Sequence, residues 1–230
     1  MKYGQFCPIA SATEILGEKW TILIIRELLM GGRRFNVLQR GLGDISPALL
    51  TSRLKSLEQQ GMIVKRRLTG QKGYEYFPTP ACQALLPVLV AIGEWGIIWT
   101  RETMLDSDFD VEMLMLYMER AIDPTKIIGD ESVIQFKFND LQEQKDFWLL
   151  VKDEKVDFCV TDPGKDVNVY LNCSVRTMYE VWMGERSYNE VMQSGEMMVQ
   201  GEPALTRNIK SWLRPGVFAD SPREPVAAVA

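Results

Sequence analysis

The sequence predicts a mixed α+β protein in two parts. The first is mainly α with one β-hairpin, and the second is an α+β domain with an antiparallel sheet covered by helices. Three observations carry this. Apolar residues recur at three- and four-residue steps through residues 7–60 and again from Thr79 to about residue 104. Period-two alternation takes over in SVIQFKF, FWLLV and VNVYL of the second half. Between them lies the acidic stretch LDSDFD, where the charge changes sign. Residues 1–104 hold 13 Lys and Arg against 8 Asp and Glu, a balance of +5; residues 105–230 hold 13 against 23, a balance of −10. Domains are therefore expected at 1–104 and 105–220, with a loose tail at 221–230. A basic half joined to an acidic half suggests that only the first meets a polyanion, although plain solvated charge gives the same split.

CPIASATEILG, residues 7–17, reads as a short helix with Ile9, Ala12, Ile15 and Leu16 inward. WTILIIRELLM, residues 20–30, is a second helix, apolar nearly all round and so central, stopped by Gly31 and Gly32. RRFNVLQRGL follows, with Phe35, Leu38 and Leu42 inward. SPALLTSRLKSLEQQ, residues 46–60, places Leu50, Leu54 and Leu57 on one stripe. Ser46 is an N-cap acceptor, Pro47 presets φ at the first helical position, and Gly61 stops the helix. The opposite face carries Ala48, Thr51, Ser52 and Lys55, with Arg53 at its flank. Short, hydrogen-bonding and cationic side chains of this kind suit a helix seated in a DNA major groove, and also suit an ordinary solvated face.

MIVKRRL and YEYFPT then read as two strands around the tip TGQKG, with Lys65, Arg66, Arg67 and Lys72 as its cations. Helices followed by a basic ribbon make a winged helix-turn-helix, and the wing would bind phosphates by releasing counterions. Thr79 and Pro80 start a long helix, 80–104, in which Leu85, Leu89, Ile92, Trp95 and Trp99 form a stripe and Pro87 kinks the helix or marks a fresh start. It exceeds what one small core needs, so we expect homodimerisation through it, with packing on the chain's own second half as the alternative. In that second half VEMLMLYMERAI is a helix and SVIQFKFND a strand. DFWLLVKDEKVDFCVTD is a hairpin turning near Asp153 and Glu154, and VNVYLNCS another strand. VRTMYEVWMG and SYNEVMQSG are helices, EMMVQGEP a short strand and ALTRNIKSWL a last helix.

Composition narrows the chemistry. Hydrophobic content of 46% supports packed cores. No apolar run approaches about 20 residues, so no membrane span is expected, nor is a signal peptide. Cys7, Cys82, Cys159 and Cys173 form no CxxC, which favours reduced thiols in a cytoplasmic setting. With no histidine, Ser–His and Cys–His catalysis and HExxH zinc chemistry are excluded. No enzyme, cofactor or metal site is expected, although Asp, Glu, Lys and Tyr chemistry in the second half stays open.

The motifs Cys7-Pro8, Gly17 with Lys19-Trp20, Arg34-Phe35, Ile45-Ser46-Pro47, Arg53-Leu54, Gly61 and Tyr76 before Thr79-Pro80 resemble the HxlR family of winged-helix regulators over residues 7 to about 104. The resemblance implies a homodimeric transcription factor, most often a repressor, reading double-stranded DNA. By position it implies base contacts from Ser46, Ala48, Thr51, Ser52 and Lys55, and phosphate contacts from Arg33, Arg34, Arg53, Arg66, Arg67 and Lys72. It also marks Cys7 as a candidate oxidant or electrophile sensor, against the plain reading of a small buried hydrophobe.

Residues from about 106 to 218 resemble a sterol-carrier-protein-like domain, notably the short strand before Gly201 and the helix after it. That fold implies a tunnel for an apolar small molecule such as a fatty acid, and eight of the twelve methionines lie in this half. By pattern, Phe136, Phe138, Trp148, Met178, Trp182, Met183 and Met198 are its lining candidates. The expectation is a dimeric DNA-binding regulator modulated by an apolar ligand. The rivals are a lipid carrier whose winged helix only docks proteins, and a thiol sensor acting through Cys7.

Overall fold

The computed structural model describes residues 2–70, 72–100, 110–127 and 129–224. The expected boundary at 104/105, residues 101–104 of the long helix, wing-tip residue 71 and the end of the tail lie outside the described residues. The chain divides into two compact units, residues 1–95 and 96–230.

In the first unit the order is α1 (Pro8–Leu16), α2 (Thr21–Leu29), α3 (Phe35–Arg40), α4 (Pro47–Gln59), β1 (Ile63–Arg67), β2 (Tyr74–Pro78), α5 (Pro80–Gln83) and α6 (Leu86–Trp99), the last crossing into the second unit. The punctuation works as expected. Leu49 N donates to Ser46 Oγ at 3.3 Å, Pro47 stands in the first turn, and Gly61 takes φ +71°. Leu50, Leu54 and Leu57 are buried with Ile24, Ile25, Leu28 and Leu38 in one core.

A buried carboxylate ties the turn after α3 to α2. Glu27 is fully buried, and Arg26 Nη2 donates both to Glu27 Oε1 at 3.0 Å and to the Gly41 carbonyl at 2.9 Å. A Cβ on Gly41 would lie 2.0 Å from Glu27 Oε2, so any side chain there requires the buried Glu27 carboxylate to shift.

Two expectations are corrected here. In α1 only Ile15 and Leu16 pack on the core, while Ile9 is 76% exposed and Ala12 is exposed. Apolar positions spread round this helix, and a single unit offers a core to one side of it. The long helix is broken at Ala84–Leu85, and Pro87 falls in the first turn of α6, where its missing N–H costs nothing. Residues Pro80–Trp99 contain a window of mean hydropathy 1.7 in which little is buried, and by length and composition they are long and apolar enough to cross a membrane. The expectation that no apolar run approaches that length was wrong, because the scattered glycines, prolines and a single charge, Glu94, break its look but not its hydropathy.

The second unit contains α7 (Val111–Ala121), β3 (Glu131–Phe138), β4 (Asp146–Lys152), β5 (Lys155–Cys159), β6 (Val169–Cys173), α8 (Val175–Trp182), α9 (Tyr188–Gln193), β7 (Met198–Gly201), α10 (Pro203–Thr206) and α11 (Ile209–Trp212). The sheet order is β5-β4-β3-β6-β7. All neighbouring pairs are antiparallel except β3 with β6, which are parallel, so the sheet is mixed rather than purely antiparallel. After the β4–β5 hairpin, turned by Asp153 and Glu154 at φ +50° and +58°, the chain returns to the start of β3 before entering β6. Alternation along each strand reveals two faces but not the neighbour's direction.

One face, with Ile134, Phe136, Phe138, Phe147, Leu149, Val169 and Leu171, packs with Met115, Met118, Met178, Val181 and Trp212 of the helices. The last helix is two short ones, and the chain after it is bonded back to the unit as far as residue 223. Gly216 N donates to Trp182 O at 2.6 Å, and Arg223 donates to the carbonyls of Met183 and Phe218.

Two predictions follow from these contacts. Gly41→Ala should destabilise the first unit by about 1–3 kcal/mol, the usual range for overpacking, read as a lower urea midpoint in the full chain; an unchanged midpoint would show that Glu27 moves freely. The second concerns acid. The Arg186 guanidinium, at 2.6 Å from each Glu196 oxygen, holds that carboxyl at about 2, helped by the Ser194 hydroxyl. A depressed native value means the contribution is present above the ordinary carboxylate pKa of about 4.3 and is lost as pH falls through about 2. Thermal unfolding of Arg186→Gln should therefore show a shallower acid limb over that window than the unsubstituted chain.

Candidate functional site

On α4 the side opposite the leucine stripe is bare. Ala48, Thr51, Ser52 and Lys55 are all exposed, at the i, i+3, i+4, i+7 spacing of one helical face. The Thr51 hydroxyl donates to the Pro47 carbonyl at 2.8 Å, which leaves its oxygen as an acceptor toward solvent. No ion pair of Lys55 is present among the described residues. Ser46 is partly committed, its Oγ serving as the helix cap.

Beside α4 the wing is an antiparallel pair in which Val64 faces Phe77, Lys65 faces Tyr76, Arg66 faces Glu75 and Arg67 faces Tyr74. An isolated bridge from Arg34 to Glu75 and a 2.8 Å bond from Tyr76 N to Arg33 O tie the start of α3 to this ribbon. Strand alternation sends Lys65 and Arg67 to one side and Arg66 to the other. Lys65 lies 4.0 Å from the Tyr74 ring centre, and Arg66 lies 4.8 Å from that of Phe77.

The structure separates the six arginines and lysines expected on phosphate into two groups. Arg66, Arg67 and Lys72 are exposed on the wing, and Arg34 is exposed with a 3.8 Å pairing to Glu75. Arg33 and Arg53 are engaged inside the unit instead. Arg33 Nη1 donates to the carbonyls of Leu28 at 2.5 Å and Gly32 at 2.9 Å, closing the end of α2. Arg53 Nε donates to Lys19 O at 3.1 Å, and its Nη1 pairs with Glu18. Helical spacing placed Arg53 on the flank but carried no sign of the Lys19 carbonyl, 34 residues earlier in the chain, or of the Glu18 carboxylate next to it.

The seven expected lining residues of the second unit do not converge. Phe136, Phe138 and Met178 are buried between sheet and helices, whereas Trp148 and Met198 lie on the opposite sheet face, as their pairing with Gln135 and Asn172 requires. Trp182 stacks on Tyr117 with ring centres 4.6 Å apart, and Met183 is buried beside the tail. A cavity of about 430 Å³ lies instead where α9, β7 and α11 meet. Partly or fully buried Met192, Val199 and Ile209 form its apolar side, and exposed Asn189, Arg207 and Lys210 its polar side. Patterning missed it because its walls come from two helix ends and an edge strand. A smaller hollow of about 150 Å³ on the outer sheet face includes Met198 and Asn172, whose buried Oδ1 has no hydrogen-bond partner.

Three thiols are held toward the protonated form. Burial pushes Cys173 up to about 12, and burial also raises Cys82 and Cys159. Cys7 is partly exposed at the N-cap of α1, its carbonyl accepting from Ser11 N at 3.0 Å. Among the described residues no group of three or more Cys, Asp or Glu is arranged to hold a metal ion.

Comparison with known proteins agrees with this geometry. Residues 15–104 match the HxlR-like helix-turn-helix family, and residues 121–214 match the SCP-2 sterol transfer family. The chain is 35% identical over 109 residues to the helix-turn-helix-type transcriptional regulator YvaP of Bacillus subtilis, covering 46% of this chain and 100% of that one. It is 36% identical over 101 residues to a regulator of the same type from Synechocystis, covering 43% and 74%. Among solved structures, the reduced form of the regulator YodB from B. subtilis is 31% identical, covering 41% of this chain and 95% of that one, with a TM-score of 0.36. An uncovered helix face beside a basic wing, with a relative matched along its whole length, makes the chain a member of the HxlR family of helix-turn-helix transcriptional regulators, with a sterol-carrier-protein-like second unit.

Proposed function

We propose that the chain acts as a dimer that reads a pseudo-palindromic operator with α4 and is modulated by an apolar ligand held in its second unit. The observation that carries the reading is the bare face of α4. A helix with Leu50, Leu54 and Leu57 buried and Ala48, Thr51, Ser52 and Lys55 open matches what a major groove accepts. Lys55 suits guanine, the Ser52 and Thr51 oxygens suit either base-edge polarity, and Ala48 suits a thymine methyl. Arg34, Arg66, Arg67 and Lys72 supply phosphate contacts. Arg33 and Arg53 are not counted among them, being engaged within the unit.

Dimerisation rests on α6. Leu86, Val88, Ile92, Trp95 and Trp99 are all exposed, and so are Phe6 and Ile9 on and beside α1. Apolar surface of this size asks for a cover, and a second copy of the chain would provide one while spacing two reading helices about one helical turn of DNA apart. A fatty acid or similar molecule fits the cavity of about 430 Å³ better than the packed interior around Phe136 and Phe138. Its effect would require tighter binding to one spacing of the reading helices; about 1.4 kcal/mol of coupling changes operator affinity tenfold.

In sedimentation velocity the full chain should run as a dimer and Trp95→Glu as a monomer with weakened DNA retardation; a monomeric parent protein would end the dimer reading. Lys55→Ala should cost about 1–3 kcal/mol of specific binding and relax the preference at one base pair per half-site. Retained ligand by native mass spectrometry, with no DNA bound at low salt, would favour a carrier instead.

A further inference from the structure

We propose that Glu18 and Arg53 form a clasp that sets the rotation of α4 about its own axis, so that Arg53 is a positioning residue for DNA reading rather than a phosphate contact. The inference rests on α4 being the reading helix. Arg53 stands midway along α4 with its side chain mostly covered. Its guanidinium is filled from one direction: Nε by the Lys19 carbonyl at 3.1 Å, and Nη1 by the Glu18 carboxylate. A phosphate approaching the remaining Nη2 would meet the Glu18 carboxylate's charge beside it, which disfavours a phosphate contact there.

The segment that holds Arg53 is itself unusual. Gly17 N donates to Thr13 O at 2.7 Å to end α1, and Thr21 N donates to Glu18 O at 3.0 Å to begin α2. Between them Trp20 has φ +79° and ψ −19°, a left-handed conformation that bulky side chains avoid unless their surroundings impose it. The Trp20 ring packs against the core, and Lys19 Nζ lies 5.6 Å from its centre. The Lys19 carbonyl belongs to the same peptide plane that precedes Trp20, so the bond from Arg53 fixes the peptide whose neighbour carries the strain. Each feature supports the other: the turn presents an acceptor, and Arg53 holds the turn.

The leucine stripe seats α4 in depth but permits some roll. A roll of about 20° moves a side-chain tip roughly 6 Å from the axis by about 2 Å, enough to break a hydrogen bond to a base edge. The clasp grips the flank and removes that freedom. It also begins two residues after the last residue of α1, so a displacement of α1 reaches the reading helix through Glu18.

The test uses the full chain and the duplex that it selects from a randomised pool, with an unrelated duplex of equal length alongside. Glu18→Ala and Arg53→Ala should each weaken the selected duplex about five- to tenfold, and the double variant should be no weaker than either single one. Binding to the unrelated duplex and the slope of affinity against salt should stay as in the parent protein, a pattern that simple loss of folded protein would not give. Additive losses, or a slope reduced by about one ion for Arg53→Ala with tighter binding for Glu18→Ala, would make Arg53 a phosphate contact and overturn the clasp. If no duplex is selected, the DNA-reading premise fails separately. Hydrogen exchange then decides the clasp: both variants should speed exchange at residues 19–24, and unchanged exchange rejects it.

Discussion

One constraint underlies the first unit: α4 must bury three leucines on one side while its other side stays bare. Burying Leu50, Leu54 and Leu57 against α2 and α3 removes several large side chains from water, each contributing roughly 1.5–3 kcal/mol. That energy seats the helix, and nothing else on it needs to be apolar. The polar face is therefore free to carry residues chosen for a partner. The contacts around it serve placement. Glu27 and Arg26 lock the turn after α3 through Gly41, Arg33 closes the end of α2, and the bridge from Arg34 to Glu75 ties the wing to α3. Buried and half-buried charges here act on geometry, since a fixed reading helix needs its flanking turns fixed as well.

The second unit solves a different problem. Its sheet buries one face under helices with aromatic and methionine side chains, and leaves much of the other exposed through Lys137, Tyr170 and Met198. A well-packed interior has little room for a guest. Space appears instead at the edge, where β7 meets two helix ends that could not close over it completely. Arg207 and Lys210 beside that opening are exposed, in a half of the chain that is otherwise acidic.

Several assignments that periodicity supports were too coarse for side-chain roles. Trp148 and Met198 look like Phe136 and Phe138 in a list of large apolar residues, but pairing with Gln135 and Asn172 turns them to the other face. Arg53 looks like any cation on a helix flank, yet it is committed to Glu18 and Lys19. Ile9 reads as inward because it is a large apolar residue at helical spacing from Ile15 and Leu16, and it is exposed because one unit covers only one side of a helix.

Local signals determined most elements of this protein from sequence alone. N-caps at Ser46 and Thr79, prolines at first helical positions, glycines at positive φ and the two hydrophobic periods are short-range effects, so they are written in consecutive residues. Tertiary structure alone decided the parallel partner of β3, the commitment of Arg33 and Arg53, the crowding of position 41 by Glu27 and the site of the larger cavity. Each of these depends on groups distant in the chain meeting in space, and a periodicity of 2 or 3.6 residues states which way a side chain faces without stating what it will meet.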